Sequence, residues 1–154
     1  MSEPMLDPEG KEKVLETVGV IIIKDEQILL VRHTDKADHV TGIYGFPAGR
    51  VEDGETKRET AIRELKEEAG LEASESDLEE FEGNRFENIP IEHGGRLRNF
   101  NFTVFLAKNF RGEIKPSLNG ENIPEWVNRN RTQFYHMLPN TRESIESAIK
   151  HLNQ

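Results

Sequence analysis

Residues 49–71, GRVEDGETKRETAIRELKEEAGL, constrain this chain more than any other part of its sequence. The second half has the composition of an α-helix and contains Glu64, Glu67 and Glu68. Because residues i, i+3 and i+4 share one face of a helix, the three carboxylates lie together and repel one another. Clustered carboxylate oxygens are the ligands that Mg²⁺ and Mn²⁺ prefer. The pattern therefore predicts a divalent-cation site on one face of the helix.

The other face of the same helix is apolar. Ile62, Leu65 and Ala69 recur at i, i+3 and i+7, which is the spacing of a buried helical stripe. We predict a helix over residues 56–69 that ends at Gly70, a residue typical of helix C-terminal caps. One side should therefore pack on a sheet while the carboxylates face a cleft.

Strand-like segments lie on both sides of this helix. They are residues 18–23, 28–33, 43–46, 78–89, 97–107 and 125–127. The first two, joined by a polar turn, are predicted to form a hairpin, and residues 48–55 are predicted to be a loop. A second helix is expected over residues 141–152. This order indicates an α/β fold with a mixed sheet sandwiched between helices.

Composition excludes several classes of protein. At 154 residues the chain is expected to hold one domain, residues 14–154, after a flexible acidic tail, residues 1–13. The absence of cysteine excludes disulfides, thiolate zinc sites and cysteine nucleophiles. No apolar run approaches the ~20 residues of a membrane span, and the first residues do not resemble a secretory signal. We therefore expect a cytoplasmic protein with no membrane partner.

The net charge of −9 bears on the choice of ligand. It argues against a nucleic-acid backbone as the main partner, since proteins that bind one are more often basic. An acidic protein that acts on phosphates needs positive charge at its site. A bound divalent cation would supply that charge where the carboxylates concentrate.

The helix on its own also fits a plain solvated surface. Glu59–Arg63 and Arg63–Glu67 are i, i+4 pairs that stabilise such a helix without any metal. The flanking residues favour the metal site, because Gly49 and Glu55 precede the helix and a glycine follows it.

The spacing of these residues resembles the signature of the Nudix hydrolases, G-x5-E-x7-R-E-U-x-E-E-x-G-U, where U is a bulky apolar residue. Every fixed position is filled, and the matching residues are Gly49, Glu55, Arg63, Glu64, Leu65, Glu67, Glu68, Gly70 and Leu71. The resemblance implies the Nudix fold and a pyrophosphohydrolase that cleaves a nucleoside diphosphate joined to another group. It also implies Mg²⁺ as the cofactor, for which Mn²⁺ can substitute.

The resemblance assigns the carboxylates their roles. It implies that Glu64, Glu67 and Glu68 bind the metal, joined by the carbonyl oxygen of Gly49. Either Glu64 or Glu67 would orient or deprotonate the attacking water, and a carboxylate is able to accept that proton.

Two more residues of the motif are interpreted as structural support. We expect Arg63 to hold the glutamates through ion pairs rather than to contact phosphate. We expect Glu55 to fix the preceding loop onto the helix.

A second acidic candidate lies far along the chain, in the sequence NGENIPEW of residues 119–126. This segment resembles a loop of the Nudix family in which a glutamate contacts metal or acts as the base. Glu121 fits that place, with Glu125 as the alternative. An ordinary solvent-exposed loop acid explains the residue equally well.

Candidates for contact with the substrate rest on residue type alone. They are Arg32, Tyr44, Arg98 and Phe100. Arginine suits phosphate or a base, and the aromatic rings could stack on a base, but surface exposure and core packing are the commoner uses.

The sequence therefore predicts an Mg²⁺-dependent Nudix hydrolase that acts on a nucleoside triphosphate, ADP-ribose or a nucleotide sugar. One alternative is a nucleotide-binding sensor of the same fold without catalytic activity, although no glutamate of the motif is lost. The cysteine-dependent isomerases of the fold are disfavoured because the chain has no cysteine. The acidic charge disfavours an RNA-cap hydrolase. A homodimer is also expected from the resemblance.

Overall fold

The computed structural model describes residues 13–36, 41–93 and 95–154. The predicted tail, apart from Lys13, lies outside the described residues. Within these ranges there are two α-helices and nine β-strands: β1 Val14–Ile21, β2 Ile23–Lys24, β3 Gln27–His33, β4 Tyr44–Gly45, β5 Ala48–Arg50, α1 Lys57–Ala69, β6 Leu78–Glu79, β7 Arg85–His93, β8 Arg96–Ala107, β9 Asn122–Asn128 and α2 Thr141–Leu152. Short 3₁₀ helices span Glu75–Asp77 and Arg129–Phe134.

The strands form two sheets. The five-stranded sheet has the order β5-β1-β8-β6, and β7 also pairs with β8. Its β1–β8 pair is parallel and its other pairs are antiparallel, so this sheet is mixed. The second sheet is antiparallel, with the order β2-β3-β4 and with β9 on β3.

The first hairpin is shorter than predicted. Ile23 and Lys24 pair with Ile28 and Gln27, whereas the whole of β1 pairs in the other sheet. The expectation that residues 18–23 pair with 28–33 is therefore wrong for most of its length. A run of β-branched residues shows a buried strand but does not show which sheet receives it.

The first helix agrees with its prediction. Thr56 is the N-cap of α1, and its side chain and that of Glu59 form a capping box. Gly70 ends the helix with φ +77° and donates its N–H to the carbonyl oxygen of Lys66. The buried residues Leu65 and Ala69 pack in one cluster with apolar residues of β1, β3 and β8. The apolar stripe therefore fixes α1 on the sheets and turns the carboxylate face the other way.

The second helix covers the opposite side of the sheets. Ala148 packs with residues of β1 and β8, and Ile145 packs with residues of β3 and β9. The predicted α/β fold, with sheet between helices, is confirmed. Within the described residues no helix is long and apolar enough to cross a membrane.

The single strand predicted over residues 78–89 is divided into β6 and the start of β7. A turn separates them, and Gly83 adopts φ +87° in it. The predicted strand over residues 97–107 is confirmed as β8, and in it the successive residues Thr103, Val104 and Phe105 are all buried. Helices α1 and α2 pack on opposite faces of this part of β8, so both of its faces are buried over residues 103–107.

Candidate active site

A cavity of about 760 Å³ opens where the two sheets meet the start of α2. Of the residues that the structure describes, five carboxylates and one arginine line it, together with several aromatic residues. The charged lining residues are Arg50, Glu52, Asp53, Glu64, Glu68 and Glu121. A cavity of this size suits a drug-sized or nucleotide-sized ligand.

Strand β5 brings the backbone against the carboxylates. Its residues pair with Thr17, Val18 and Gly19 of β1, so the loop predicted for residues 48–55 begins as a strand. The N–H of Ala48 donates a 2.6 Å hydrogen bond to Glu68 Oε1. A Cβ atom on Gly49 would lie 2.1 Å from Glu64 Oε1, a distance that no side chain tolerates. Gly49 is therefore required for the close approach of β5 to the carboxylate face.

Arg63 links the entering loop to the helix. Its Nε and Nη2 atoms donate to the two carboxylate oxygens of Glu55, at 2.7 and 2.9 Å. Its Nη1 donates to Glu64 Oε1 at 2.6 Å, and Nη2 also donates to the carbonyl oxygen of Arg50 at 3.0 Å. The hydrogen bonds from Arg63 are the main cause that lowers the pKa of Glu55 to about 2. These contacts are the ones that a supporting role for Arg63 and Glu55 requires.

The carboxylates of the site carry unfavourable charge. Burial raises the pKa of Glu64 to about 7, although Arg63 opposes the shift. Burial also raises the pKa of Glu68 well above its ordinary value, and the charges of Glu64, Glu67 and Glu121 add to the effect. The ionised forms are thus destabilised in the folded chain, which is the electrostatic condition that a cation relieves.

Glu67 occupies a different position from its two neighbours. It is solvent-exposed, it does not line the cavity, and its Oε2 lies 3.4 Å from Arg63 Nη1. Its place as metal ligand and catalytic residue stays a prediction.

The donor set fits a divalent cation in its chemistry. Glu64 and Glu68 present hard oxygen atoms beside the backbone of Gly49 and Ala48, and burial of both carboxyl groups raises their pKa values. Among the described residues, however, no three His, Cys, Asp or Glu side chains are already arranged to hold a metal ion. The reason lies in the contacts given above, since Arg63 holds Glu64 and the backbone of Ala48 holds Glu68.

The late acidic candidate reaches the same cavity from the other sheet. Glu121 lines the cavity, directly before β9, and its charge acts on Glu68. The alternative, Glu125, does not line it. Glu125 instead accepts a 2.9 Å hydrogen bond from the hydroxyl of Tyr44 and lies 3.7 Å from Arg32 Nε. The structure therefore brings Glu121, and not Glu125, to the cavity that Glu64 and Glu68 line.

The four substrate candidates separate in the same way. Phe100 lines the cavity, whereas Arg32 and Tyr44 do not and belong to the group around Glu125. Burial and the bond to Glu125 raise the pKa of Tyr44 to about 12. Arg98 is not a lining residue, although its Nε is buried without a hydrogen-bond partner.

Several lining residues were not identified from the sequence. They include Thr17, Phe86, Asn122, Ser144 and residues 138–141. Thr17 is a polar residue beside a β-branched buried run, which is a weak signal for a special position. Phe86 carried no signal, because its place in the cavity depends on strand pairing.

The α/β sandwich with a carboxylate-bearing helix at a cavity defines the class of protein predicted from the sequence. The family model described as the NUDIX domain matches residues 13–149. The chain therefore belongs to the Nudix family, and the predicted enzyme class, a Nudix pyrophosphohydrolase, is confirmed at the level of the family.

Individual relatives agree with this assignment. The CTP pyrophosphohydrolase of Escherichia coli (strain K12) is 40% identical over 62 residues, which are 40% of this chain and 45% of that protein. The 8-oxo-dGTP diphosphatase of Proteus vulgaris is 27% identical over 104 residues, 68% of this chain and 84% of that protein. The matched part thus spans less than half of the first relative and most of the second.

A solved structure shows the same fold. The MutT protein of Methanosarcina mazei Go1 superposes with a TM-score of 0.70 at 20% identity, over 92% of this chain and 96% of that one. At this identity the likeness concerns the fold alone.

Proposed function

We propose that this chain hydrolyses a diphosphate bond in a nucleoside diphosphate linked to another moiety, with Mg²⁺ as cofactor and Mn²⁺ as a substitute. The observation that carries the proposal is the cavity itself. Glu64, Glu68 and Glu121 line it together with aromatic residues, and the charges of Glu64 and Glu121 act on Glu68. Acids of which Glu64 and Glu68 have pKa values raised by burial, beside an apolar wall, suit a phosphate group joined to a base.

The metal would be held by Glu64, Glu67, Glu68 and the carbonyl oxygen of Gly49. When bound, it would neutralise the phosphate oxygens and lower the pKa of a water molecule. Arg63 keeps one oxygen of Glu64 fixed through its 2.6 Å hydrogen bond.

A general base is available on either wall of the cavity. Glu64 lines the cavity, and a carboxylate there is able to accept a proton from water. Glu121 is the second candidate, because it faces the same space from the opposite sheet. Water would then attack a phosphorus atom, and the two products would each carry phosphate.

Nucleoside triphosphates are the substrates to test first. Both relatives named above are described as acting on a nucleoside triphosphate, CTP in one case and 8-oxo-dGTP in the other. ADP-ribose and nucleotide sugars share the diphosphate linkage and belong in the same experiment. The cytoplasmic location and the homodimer stay predictions.

The test is Mg²⁺-dependent turnover on a panel of substrates. It contains ordinary and oxidised nucleoside triphosphates, ADP-ribose, nucleotide sugars and dinucleoside polyphosphates, with separation of the products and an EDTA control. We expect turnover of at least one nucleotide that EDTA abolishes. Nucleotide binding without any turnover would instead support the inactive sensor.

A further inference from the structure

Strand register aligns four cavity residues in one row across the five-stranded sheet. Thr17 of β1 is paired with Arg50 of β5 on one side and with Phe102 of β8 on the other. Phe102 is in turn paired with Phe86 of β7. All four residues line the cavity, and we call them the transverse row. At about 4.8 Å between neighbouring strands, the row is roughly 14 Å long.

The chemistry changes from one end of the transverse row to the other. Arg50 follows Gly49, the residue that touches Glu64, and is the one Arg or Lys among the described lining residues. The far end is aromatic and carries no charge. The register therefore separates a phosphate-and-metal end from an apolar end.

The aromatic end presents open rings. Phe102 and Phe86 are only partly buried, whereas the core residues Phe81 and Phe105 are 5% and 3% exposed. Phe100 lies beside Phe102 on the same strand face, with ring centroids 5.8 Å apart and planes inclined by 28°. A flat apolar surface of this kind suits another aromatic ring.

A β-bulge builds this surface. Phe86 pairs with Phe102 but Ile89 pairs with Phe100, so β7 has one extra residue between these two pairs. Asn88, at φ +54°, lies in this bulge and its N–H donates to Asn101 Oδ1. Without the extra residue, Phe86 and Ile91 would face opposite sides of the sheet, whereas both line the cavity.

Thr17 supplies an uncommitted polar group in the middle of the row. It is 7% exposed, and its hydroxyl oxygen is buried without a hydrogen-bond partner. A buried hydroxyl in this state is costly, and a polar ligand group beside it would remove the cost.

We propose that the nucleobase of the substrate stacks on Phe102 and Phe86, with Thr17 contacting a polar group of the nucleoside and the diphosphate lying at the Arg50 end. This inference rests on the proposed function and deepens it. It makes Phe102 and Phe86 determinants of binding for an aromatic base, and it assigns them no part in the chemical step.

The test separates binding of the base from binding of phosphate. Calorimetry in EDTA would measure the Kd of AMP, GMP, CMP and UMP for the wild type and for Phe102→Leu, Phe86→Leu and Thr17→Val. Inorganic pyrophosphate with Mg²⁺ is the probe without a base. Phe110→Leu is the matched control, because Phe110 is also partly buried but packs beside Trp126, outside the cavity.

Stacking on a base is worth enough that losing the ring should raise Kd about ten-fold or more. We expect that increase for the nucleotide bound best, with pyrophosphate affinity unchanged and with wild-type affinities in Phe110→Leu. Thr17→Val should weaken nucleotide binding by a smaller factor. In turnover, KM should rise in Phe102→Leu while kcat changes by less than about two-fold.

Three outcomes would overturn the inference. They are nucleotide affinity that is unchanged in both phenylalanine variants, an equal loss of pyrophosphate binding, and a wild type that binds none of the four nucleotides. The proposed function fails separately, if the wild type binds nucleotides but hydrolyses nothing in the panel. The two phenylalanine variants keep the test usable if one fails to fold, which its Tm would reveal.

Discussion

The acidic end and the aromatic end of the cavity are built in different ways. The acidic end, apart from Glu121, comes from 23 consecutive residues, 49–71, and its side chains meet because a helix brings i, i+3 and i+4 together. The aromatic end combines Phe86 and Phe102, from the consecutive strands β7 and β8, with Thr17 of β1, which lies far earlier in the sequence. Helical spacing therefore carries contact information that strand sequences lack.

The two ends also differ in the interactions that oppose folding. The acidic end holds Glu64 and Glu68 with raised pKa values, so ionised carboxylates oppose folding there. The aromatic end has no charge to compensate. Its unfavourable contribution to stability comes from apolar rings that are partly exposed. The proposals above assign a cation to the first end and a nucleobase to the second.

The largest effect should come from Glu64→Gln at the acidic end. The change keeps the shape and the bond from Arg63 but removes the charge, and we expect kcat to fall by ~10²–10⁴-fold. Glu67→Gln should also nearly abolish turnover, with an unchanged Tm because Glu67 is exposed. Steady-state kinetics and thermal melts would measure both.

The exposed Glu113→Gln is the control for these variants, since Glu113 lies outside the cavity. Wild-type rates in both Glu64→Gln and Glu67→Gln would exclude the metal site. The acidic end of the cavity would then have no role in catalysis.

A smaller loss should follow from Gly49→Ala. The added Cβ would lie 2.1 Å from Glu64 Oε1, so the glutamate must move. A displacement of about 1 Å in a catalytic group can cost ~10²-fold in rate, and the crowding should lower stability by about 1–3 kcal/mol. Kinetics and urea denaturation would measure the two effects.

Gly19→Ala is the matched control for that variant. Gly19 also lines the cavity, but a Cβ there would meet its nearest neighbour, Ala48 Cβ, at an ordinary 3.6 Å. Equal losses in the two variants would show that close packing of glycine in general, and not contact with Glu64, explains the result.

The smallest effect concerns the pH dependence of stability without metal. The folded-state pKa of Glu64 is about 7, above its ordinary value of 4.5, so the folded chain binds more protons than the unfolded chain between these values. The contribution of Glu64 to the free energy of unfolding is therefore fully present below pH 4.5, and it is lost as the pH rises through about 7. The difference in Tm between Glu64→Gln and wild type should grow in favour of the variant over this range.

Thermal melts in EDTA from pH 4.5 to 8 would measure this difference, and the comparison with the variant cancels the titration of groups that do not interact with Glu64. Mg²⁺ or Mn²⁺ at pH 8 should raise the Tm of the wild type, because a ligand of the folded state stabilises it. A constant difference across the pH range would mean that the charge of Glu64 is not costly in the empty site.

Much of the fold could be predicted from local signals. Helix α1 was found within one residue because Thr56, Gly70 and the apolar stripe mark its ends and its buried face. The prediction of a hairpin over residues 18–33 is mostly wrong, because a buried β-branched run is equally compatible with either sheet. Strand β5 was predicted as part of a loop. Its three residues show no strand pattern in the sequence, and only their pairing with β1 makes them a strand.

The candidate site shows the same division. The motif residues Glu64 and Glu68 reach the cavity as predicted, and Glu121 joins them from the other sheet. Tyr44 and Arg32, chosen by residue type alone, belong to the group around Glu125 instead. Residue type alone, without the position of the residue in the fold, does not predict which residues line the cavity.

The sequence by itself determined the carboxylate helix, its caps and the family, because these depend on spacing along a few turns of chain. The tertiary structure alone decided the transverse row and the place of Phe86 in it. A one-residue bulge at Asn88 sets which side of the sheet Phe86 faces, and the sequence has no marker of its position. The physical reason is that side chains alternate along a strand, so a shift of one residue reverses the face that each presents.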